Sequence, residues 1–311
     1  MTSPTDAAVD KAMTGVPSAI PAAEPTAGQI RWFRRLLRNG SVVVGAAIFL
    51  VFLLAAIFAG VISTHVPTRL NPPQRLKPPS AANLLGTDEF GRDVYSLVVY
   101  GSRVSLLVGG VTMLLTSLGG TLVGLVAGYY RRLDLVVMRF MDGLMAFPAI
   151  ILAIAFMAAR GPGVWNVILA LSLVYMPRTA LLVRSTVLSL RELDYVAAAR
   201  ALGRPDFSVA FRHILPNCLA PLLVQGTFIF AYAVLAEAIL GFLGVGVPPY
   251  VPSWGNVIAS GKNVIREAFW VSLFPGITLT VAGLSLNLLG DGLRDTLDPR
   301  LRGSVGTGTG R

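Results

Sequence analysis

The sequence predicts an all-α integral membrane protein with six transmembrane helices. Hydrophobic residues make up 54% of its 311 positions and charged residues only 14%, whereas a soluble domain carries about a quarter charged residues. The apolar residues form long runs, each long enough as a helix to cross about 30 Å of hydrocarbon. A charged segment at residues 189–216 lies between the fourth and fifth runs.

The first forty residues precede any span. Residues 1–29 are rich in Ala, Pro, Thr and Ser, which predicts a disordered cytoplasmic tail. Residues 30–40 combine arginines with aromatic and leucine side chains, which is typical of a basic amphipathic segment on anionic lipid. The first span follows at 41–62, and its length and position favour an uncleaved helix over a signal peptide.

Five further spans are expected at about 104–130, 135–159, 163–183, 217–247 and 268–290. In the first of these, Gly120, Gly124 and Gly128 recur at every fourth residue. This spacing lets helices pack closely in lipid, although mere tolerance of glycine in membrane helices would also explain it.

Prolines occur in four of these spans. Pro148 and Pro177 lie near one end of the third and fourth spans, where neighbouring helices could satisfy the freed backbone groups. The fifth span is expected to be broken or bent, because Pro221, Gly226 and the run GFLGVGVPP all loosen it.

Six spans place both termini on one side of the membrane. Most arginines of the short connecting segments fall on that side, together with residues 189–216. The positive-inside rule therefore assigns this side to the cytoplasm. The six-span domain covers 41–302, and residues 303–311 are expected to form a flexible cytoplasmic tail.

Charges within the spans need a partner or a route to water. Arg139 and Asp142 lie three residues apart, so they are expected to pair on one helical face. Arg178 and Arg184 are expected to extend towards the cytoplasmic interface.

Glu237 stands alone in a run that is otherwise uncharged from Ile214 to Gly261. It either lines a polar path through the membrane or pairs with an arginine of another helix, and the sequence leaves both open. Asn287 is a second candidate for the path, with an interhelical hydrogen bond as the alternative.

The charged segment 189–216 is predicted to form two short helices that meet at a glycine. Ser189 and Glu192 have the spacing of a capping box at a helix start. Gly203 suits the left-handed conformation that ends a helix, and Pro205 suits the first turn of the next. The second helix is expected to stop before Pro216.

The first of these helices carries alanines that leave its backbone open to close approach. Ala197, Ala198 and Ala199 leave little side chain on it, while Arg200 and Arg204 supply charge at its edges. A knob that docks onto another protein is one interpretation. A solvated loop made of good helix formers is the alternative.

Several kinds of function are not expected. No Walker A, HExxH or GxSxG pattern occurs, and the only histidines are His65 and His213, so neither catalysis nor a cofactor or metal is expected in this chain. The net charge of +10 comes without a basic cluster interleaved with aromatic residues, so nucleic-acid binding is not expected. The single cysteine, Cys218, is expected to be a packed thiol.

The charged segment resembles the EAA loop of ABC importer permeases, whose pattern is E-A-A-x3-G-x9-I-x-L-P. The three alanines at 197–199, Gly203 and HILP at 213–216 have this spacing. Ala197 stands where the family often has Glu, and His213 where it often has Ile.

Three other motifs resemble the C-type permease of the dipeptide, oligopeptide and nickel importers. They are LLGTDEFGRDVYS at 84–96, EAILGFLGVGVPPYVPSWGN at 237–256 and FPGITLTVAGLSLNLLGDGLRDTLDPR at 274–300. The resemblance implies a type I importer permease fold in a bacterial cell membrane, with a cytoplasmic coupling helix. It also implies four partners besides membrane lipid: a homologous second permease, two ATP-binding subunits that use ATP and Mg, and an extracytoplasmic solute-binding protein.

Under this resemblance, the chain couples to the ATPase through its charged segment and carries no catalytic residue. The coupling residues it implies are Ala197, Ala198, Ala199, Arg200, Gly203, Arg204, His213 and Pro216. The expected cargo is di- or oligopeptides, with nickel, glutathione or opines as alternatives. A self-sufficient secondary transporter or channel and a purely structural membrane subunit are the competing classes.

Overall fold

The computed structural model describes residues 36–297, which form helices and connecting loops. Within these residues the backbone forms no strand beyond one isolated bridge between Thr87 and Asp93. The predicted tails at 1–29 and 303–311, and part of the basic segment at 30–40, lie outside the described residues.

Eleven α-helices occur in the described range, and we number them in chain order. Their bounds are α1 Gly40–Ile57, α2 Ala59–Ile62, α3 Val94–Tyr129, α4 Arg131–Met145, α5 Ala149–Arg160, α6 Val164–Leu190, α7 Asp194–Ala201, α8 Asp206–Val209, α9 Leu215–Phe242, α10 Trp254–Ser260 and α11 Trp270–Leu297. A 3₁₀ turn covers Pro72–Gln74, and a π-helical turn at Ala210–Ile214 joins α8 to α9.

Five helical stretches are long and apolar enough to cross a membrane, and a bent pair brings the number to six. The five are α1, α3, α6, α11 and the stretch from α8 through α9. The predicted all-α membrane fold is therefore confirmed.

The third predicted span is this bent pair rather than one straight helix. α4 and α5 meet at 90°, with Pro148 as the residue before α5. A proline lacks the N–H that would continue the ladder, so the helix stops before it. α4 is amphipathic: Met138 and Met141 are buried, while Leu135 and Phe140 are exposed.

The packing of α3 on α6 is the most extensive helix pairing in the described chain. It depends on the predicted glycines: a Cβ added to Gly120 would lie 2.6 Å from Cβ of Thr179, and one added to Gly128 would lie 2.7 Å from Cβ of Val187. At Gly124 an added Cβ would collide with the carbonyl oxygen of Ala180. The glycine spacing therefore serves close packing, which decides between the two interpretations that the sequence left open.

The fifth span is not broken at its proline. α9 continues through Pro221 to Phe242, because an internal proline removes only one bond of the ladder and Gly226 is buried against α3. The helix ends five residues earlier than expected. The glycine-rich run after it forms a loop in which Gly244 has φ +77°.

The ion pair predicted within α4 does not form. Arg139 and Asp142 are both exposed, and neither takes part in a salt bridge between described residues. Asp134 instead binds Arg184 of α6 with two hydrogen bonds of 2.5 and 2.6 Å. Arg184 is thus held by a carboxylate, because α4 packs across α6 at that level. Cys218 is buried and unpaired, as predicted.

The loop at residues 63–93 is folded around the N-terminus of α3. Asp93 caps this helix, accepting from the backbone N–H of Ser96 at 2.8 Å. Its carboxylate also accepts from Asn83 Nδ2 at 2.9 Å and from Thr64 Oγ1 at 3.1 Å. Trp270 of α11 donates from Nε1 to the carbonyl of Thr87 at 3.2 Å, which fixes the loop to the helix bundle.

We predict that Gly124→Val destabilises the protein by about 1–3 kcal/mol, because overpacking forces α3 and α6 apart. The thermal unfolding of the purified protein in detergent measures this. Gly143→Val is the matched control, since a Cβ at this exposed helical glycine has no neighbour within 4 Å. Equal stability of the two variants would show that close packing at Gly124 is dispensable.

Candidate coupling site and transport groove

Residues 189–216 are called the coupling segment below, after the role predicted for them. The first helix of this segment, α7, begins later than predicted. α6 extends through Leu190, and Ser189 donates from Oγ to the carbonyl of Ser185 at 3.1 Å within that helix. Glu192 is exposed and bound to Arg191 Nε at 3.0 Å. α7 starts after Leu193 without a side-chain cap, so the predicted capping box is wrong. Because α6 extends through Leu190, Ser189 lies inside that helix and cannot cap α7.

The end of α7 is a Schellman motif centred on Gly203. The Gly203 N–H donates to the carbonyl of Arg200 at 2.9 Å, and the Arg204 N–H donates to the carbonyl of Ala199 at 3.2 Å. Gly203 has φ +73°, in the left-handed region where other residues are strained. The predicted glycine turn is confirmed.

The second coupling helix does not stop before Pro216. Pro205 precedes α8, and the chain continues through the π turn directly into α9. The Leu215 N–H bonds to the carbonyl of Ala210, five residues back. Pro216 lies in the first turn of α9. The preceding π turn has already displaced the regular backbone hydrogen bonds there, so the helix tolerates a residue without an N–H.

One face of the coupling segment is part of the protein core. Val196, Val209 and Ile214 have no exposed surface, and Ala199 is only 7% exposed. They pack with side chains at the ends of the long helices, namely Leu125, Tyr129, Val183, Val187, Cys218 and Leu222. Ala199 therefore faces inward, unlike the neighbouring alanines.

Polar contacts fix the same segment to the C-terminal end of α3. Tyr129 donates from its hydroxyl to Asp206 Oδ1 at 2.6 Å, and the guanidinium of Arg200 lies 5.1 Å from the centre of the Tyr129 ring. Arg191, just after α6, donates from Nη1 to the carbonyl of Gly128 at 2.9 Å. These contacts join the coupling segment to the C-terminal ends of α3 and α6.

The opposite face is exposed and apolar. Ala197 and Ala198 are exposed, Leu202 is 83% exposed and Phe207 is 68% exposed. The ring of Phe207 lies 4.3 Å from that of Phe211. Large apolar side chains that are exposed together beside short helices are typical of a protein interface.

The other predicted coupling residues lie around this face. Arg204 and Pro216 are exposed, and His213 is half-buried. The backbone carbonyl of His213 accepts from Asn217 Nδ2 at 2.8 Å, which stabilises the entry to α9. The structure therefore brings the predicted coupling residues into one segment, with Ala199 on its inner side.

Glu237 is buried between α9, α3 and the loop before α10. It has no exposed surface, and its Oε2 accepts from Ser105 Oγ at 2.8 Å. The backbone N–H of Trp254 donates to the same Ser105 oxygen at 3.2 Å. No arginine of the described chain lies within ion-pair distance of Glu237. Asn287 is half-buried on α11.

A groove with polar side chains runs along α6, α9 and α11. It consists of two adjoining hollows of about 540 and 560 Å³ that share Leu182, Gln225 and Phe228. The first also contacts Arg178, Leu181, Ser185 and Tyr232, and the second Asn217, Ala220, Pro221, Val224, Arg294 and Leu297.

Comparison with known proteins identifies the family of the chain. Residues 120–303 match the family described as the binding-protein-dependent transport system inner membrane component. The chain belongs to this family of transport permeases. Residues 30–79 match the N-terminal transmembrane domain of oligopeptide transport permease C. The predicted resemblance is confirmed, and the chain is a permease component of an ABC transporter, not an enzyme.

Relatives of this permease match it over most of its length. A Brucella abortus protein named as a peptide transport system permease is 51% identical over 269 residues, 86% of this chain and 91% of that protein. The dipeptide transport system permease of Alkalihalophilus pseudofirmus is 42% identical over 93% of this chain and 97% of its own. The di/tripeptide transport system permease of Pseudomonas aeruginosa is 38% identical over 94% and 99%.

Two groups of residues in the permease were not found by sequence reasoning. Tyr129 and Asp206 join the coupling segment to α3, and Leu202 and Phe207 form its apolar face. The sequence does contain a signal for Leu202 and Phe207, since large apolar residues are unusual in a charged segment. No local sequence signal predicts the Tyr129–Asp206 hydrogen bond, because its partners are 77 positions apart.

We predict that Tyr129→Phe loosens the coupling segment by about 1 kcal/mol, because it removes one hydrogen bond to a carboxylate that water can still solvate. Hydrogen exchange of residues 194–210 should then be about five-fold faster, since 1.4 kcal/mol corresponds to a factor of ten. Tyr130→Phe is the control, because this neighbouring tyrosine is 42% exposed. Unchanged exchange in Tyr129→Phe would contradict the anchoring role.

Proposed function

We propose that this permease forms half of the translocation path of an ATP-driven importer and receives the motion of the ATPase through residues 189–216. The observation that carries the proposal is the two-sided coupling segment. One face is built into the ends of α3, α6 and α9, while the other presents an apolar surface to a partner.

The proposed partners follow from this arrangement and from the family. Two ATP-binding subunits would hydrolyse ATP with Mg, and one of them would contact the face with Ala197, Ala198 and Leu202. A homologous second permease would complete the path, and an extracytoplasmic solute-binding protein would deliver the cargo. The arginine distribution supports a bacterial cell membrane protein with both termini in the cytoplasm.

The transmission of motion is mechanical in this proposal. Closure of the ATPase subunits would displace α7, whose buried side chains press on α3 and α6. Schellman geometry at Gly203 keeps α7 and α8 at a fixed angle, so that both helices move together. The helix bundle would then alternate between inward-open and outward-open states.

Peptides are the proposed cargo. Relatives that match more than 90% of this chain are named dipeptide or di/tripeptide transport permeases. Nickel, glutathione and opines are the alternatives. Uptake of labelled di- to pentapeptides and of nickel, in cells lacking this chain and in cells with it restored, distinguishes them: peptide uptake should be lost and then return.

Glu237 and Asn287 remain proposed residues of the path. Because Glu237 is closed off by Ser105 and Trp254, it would reach the path only in a state in which α9 separates from α3 and α10. In the conformation described, Glu237 holds these elements together.

We predict that Gly203→Val abolishes transport while the protein still inserts into the membrane. A β-branched residue resists φ near +73°, and no atom lies within 4 Å of an added Cβ, so the effect comes from the backbone alone. Gly203→Asn is the matched control, since asparagine tolerates the left-handed region, and it should retain most uptake. Normal uptake by Gly203→Val at normal abundance would contradict the proposed role of the fixed turn.

We predict that Ala198→Trp prevents association with the ATP-binding subunits, because the added ring fills the surface on which they dock. Co-purification of the ATPase with the permease measures this. Ala81→Trp is the control, an exposed alanine in the loop at the other end of the bundle. Equal recovery of the ATPase with both variants would place the docking surface elsewhere. Ala199 is unsuitable for this test because it is buried.

A further inference from the structure

We propose that Arg178 binds the C-terminal carboxylate of a short peptide in the groove between α6 and α9. This inference rests on the proposed function of peptide import and adds a binding residue within the path. It is carried by an exposed guanidinium in a membrane helix, at a site where the groove also presents amide and hydroxyl groups.

The groove differs in chemistry from the other exposed surfaces of the long helices. Side chains exposed on the outer faces of the long helices are apolar, for example Leu114 and Leu118 of α3 and Ile277 of α11. Arg178 is exposed near the middle of α6. An arginine in a membrane helix is costly where it meets hydrocarbon and is tolerated where it reaches water or a polar partner. The surface around Arg178 must therefore meet water, a ligand or another polar group.

The groove is suited to an anion. Its described lining includes Arg178 and Arg294 and no acidic residue. Two other arginines of the helix bundle have partners within the chain: Arg184 binds Asp134, and Arg103 donates to the carbonyl of Ala56 at 2.6 Å. Arg178 has no carboxylate of a described residue within 4 Å.

Arginine is well matched to a terminal carboxylate. Its planar guanidinium donates two parallel hydrogen bonds to the two carboxylate oxygens, an interaction stronger than one between neutral groups. A free C-terminal carboxylate is common to unmodified peptides whatever their sequence. One arginine could therefore hold many different peptides without selecting their side chains.

The remaining groove residues fit the rest of a short peptide. Gln225 offers an amide that can both donate to and accept from a peptide backbone, and Tyr232, which is 46% exposed, offers a hydroxyl. Leu182 and Phe228 supply apolar surface for side chains. Each hollow falls within the roughly 300–1,000 Å³ of ordinary small-molecule sites.

The first test compares uptake by the complete transporter carrying Arg178→Gln, Arg178→Lys or Arg132→Gln. With labelled dialanine, Arg178→Gln should lower uptake at least ten-fold, and Arg178→Lys should restore part of it because the charge remains. Arg132→Gln removes an exposed arginine outside the groove and should match the wild type. Wild-type uptake by Arg178→Gln would overturn the proposal.

The second test separates a cargo contact from a contact between permeases. If Arg178 instead pairs with a carboxylate of the second permease, Arg178→Gln should reduce co-purification of that subunit, which would overturn the proposal. Normal co-purification together with reduced uptake supports it. If wild-type cells import no peptide at all, the proposed function fails, and this result differs from peptide import that does not depend on Arg178.

The third test avoids the solute-binding protein, which could itself select the carboxylate. Membranes with both permeases and both ATP-binding subunits, but without the solute-binding protein, are exposed to a photoactivatable dipeptide with either a free or an amidated C-terminus. The free acid should label this chain in the wild type and fail to label Arg178→Gln, while the amide should label neither. Equal labelling by acid and amide would contradict carboxylate recognition.

Discussion

Close packing of α3 on α6 is the constraint on which the described structure depends. Because Gly120, Gly124 and Gly128 have no side chains, the two helices approach at backbone distance over several turns. Their ends near Tyr129 and Val187 therefore lie side by side, and the coupling segment packs across both. Wider separation would leave Val196 and Val209 without the surface that buries them.

Local geometry explains which features could be predicted from sequence. The glycine spacing and the turn at Gly203 follow from backbone rules that need no partner, and both are present. The expected pairing of Arg139 with Asp142 also obeyed a local rule, yet it does not form, whereas Asp134 pairs with Arg184 across 50 residues. Contacts set by tertiary packing, including the Tyr129–Asp206 bond, leave no trace in a local pattern.

Glu237 and Arg178 show a second limit of sequence reasoning. Both are ionisable residues in apolar runs, and no local pattern shows what surrounds either of them. Glu237 is enclosed and bound to Ser105, whereas Arg178 is exposed in a groove. The difference arises because Glu237 faces α3 and α10, while the part of α6 with Arg178 turns towards a surface that no described helix covers.

α3 contains no proline along its 36 residues, whereas α6, α9 and α11 each have a proline in the helix interior. At 1.5 Å per residue it is about 54 Å long. One end is capped by Asp93, which also binds Thr64 and Asn83, and the other carries Tyr129 beside Asp206. α3 is therefore one unbroken rod between the loop at residues 63–93 and residues 194–210, so a displacement of either end would shift the other end along the same axis.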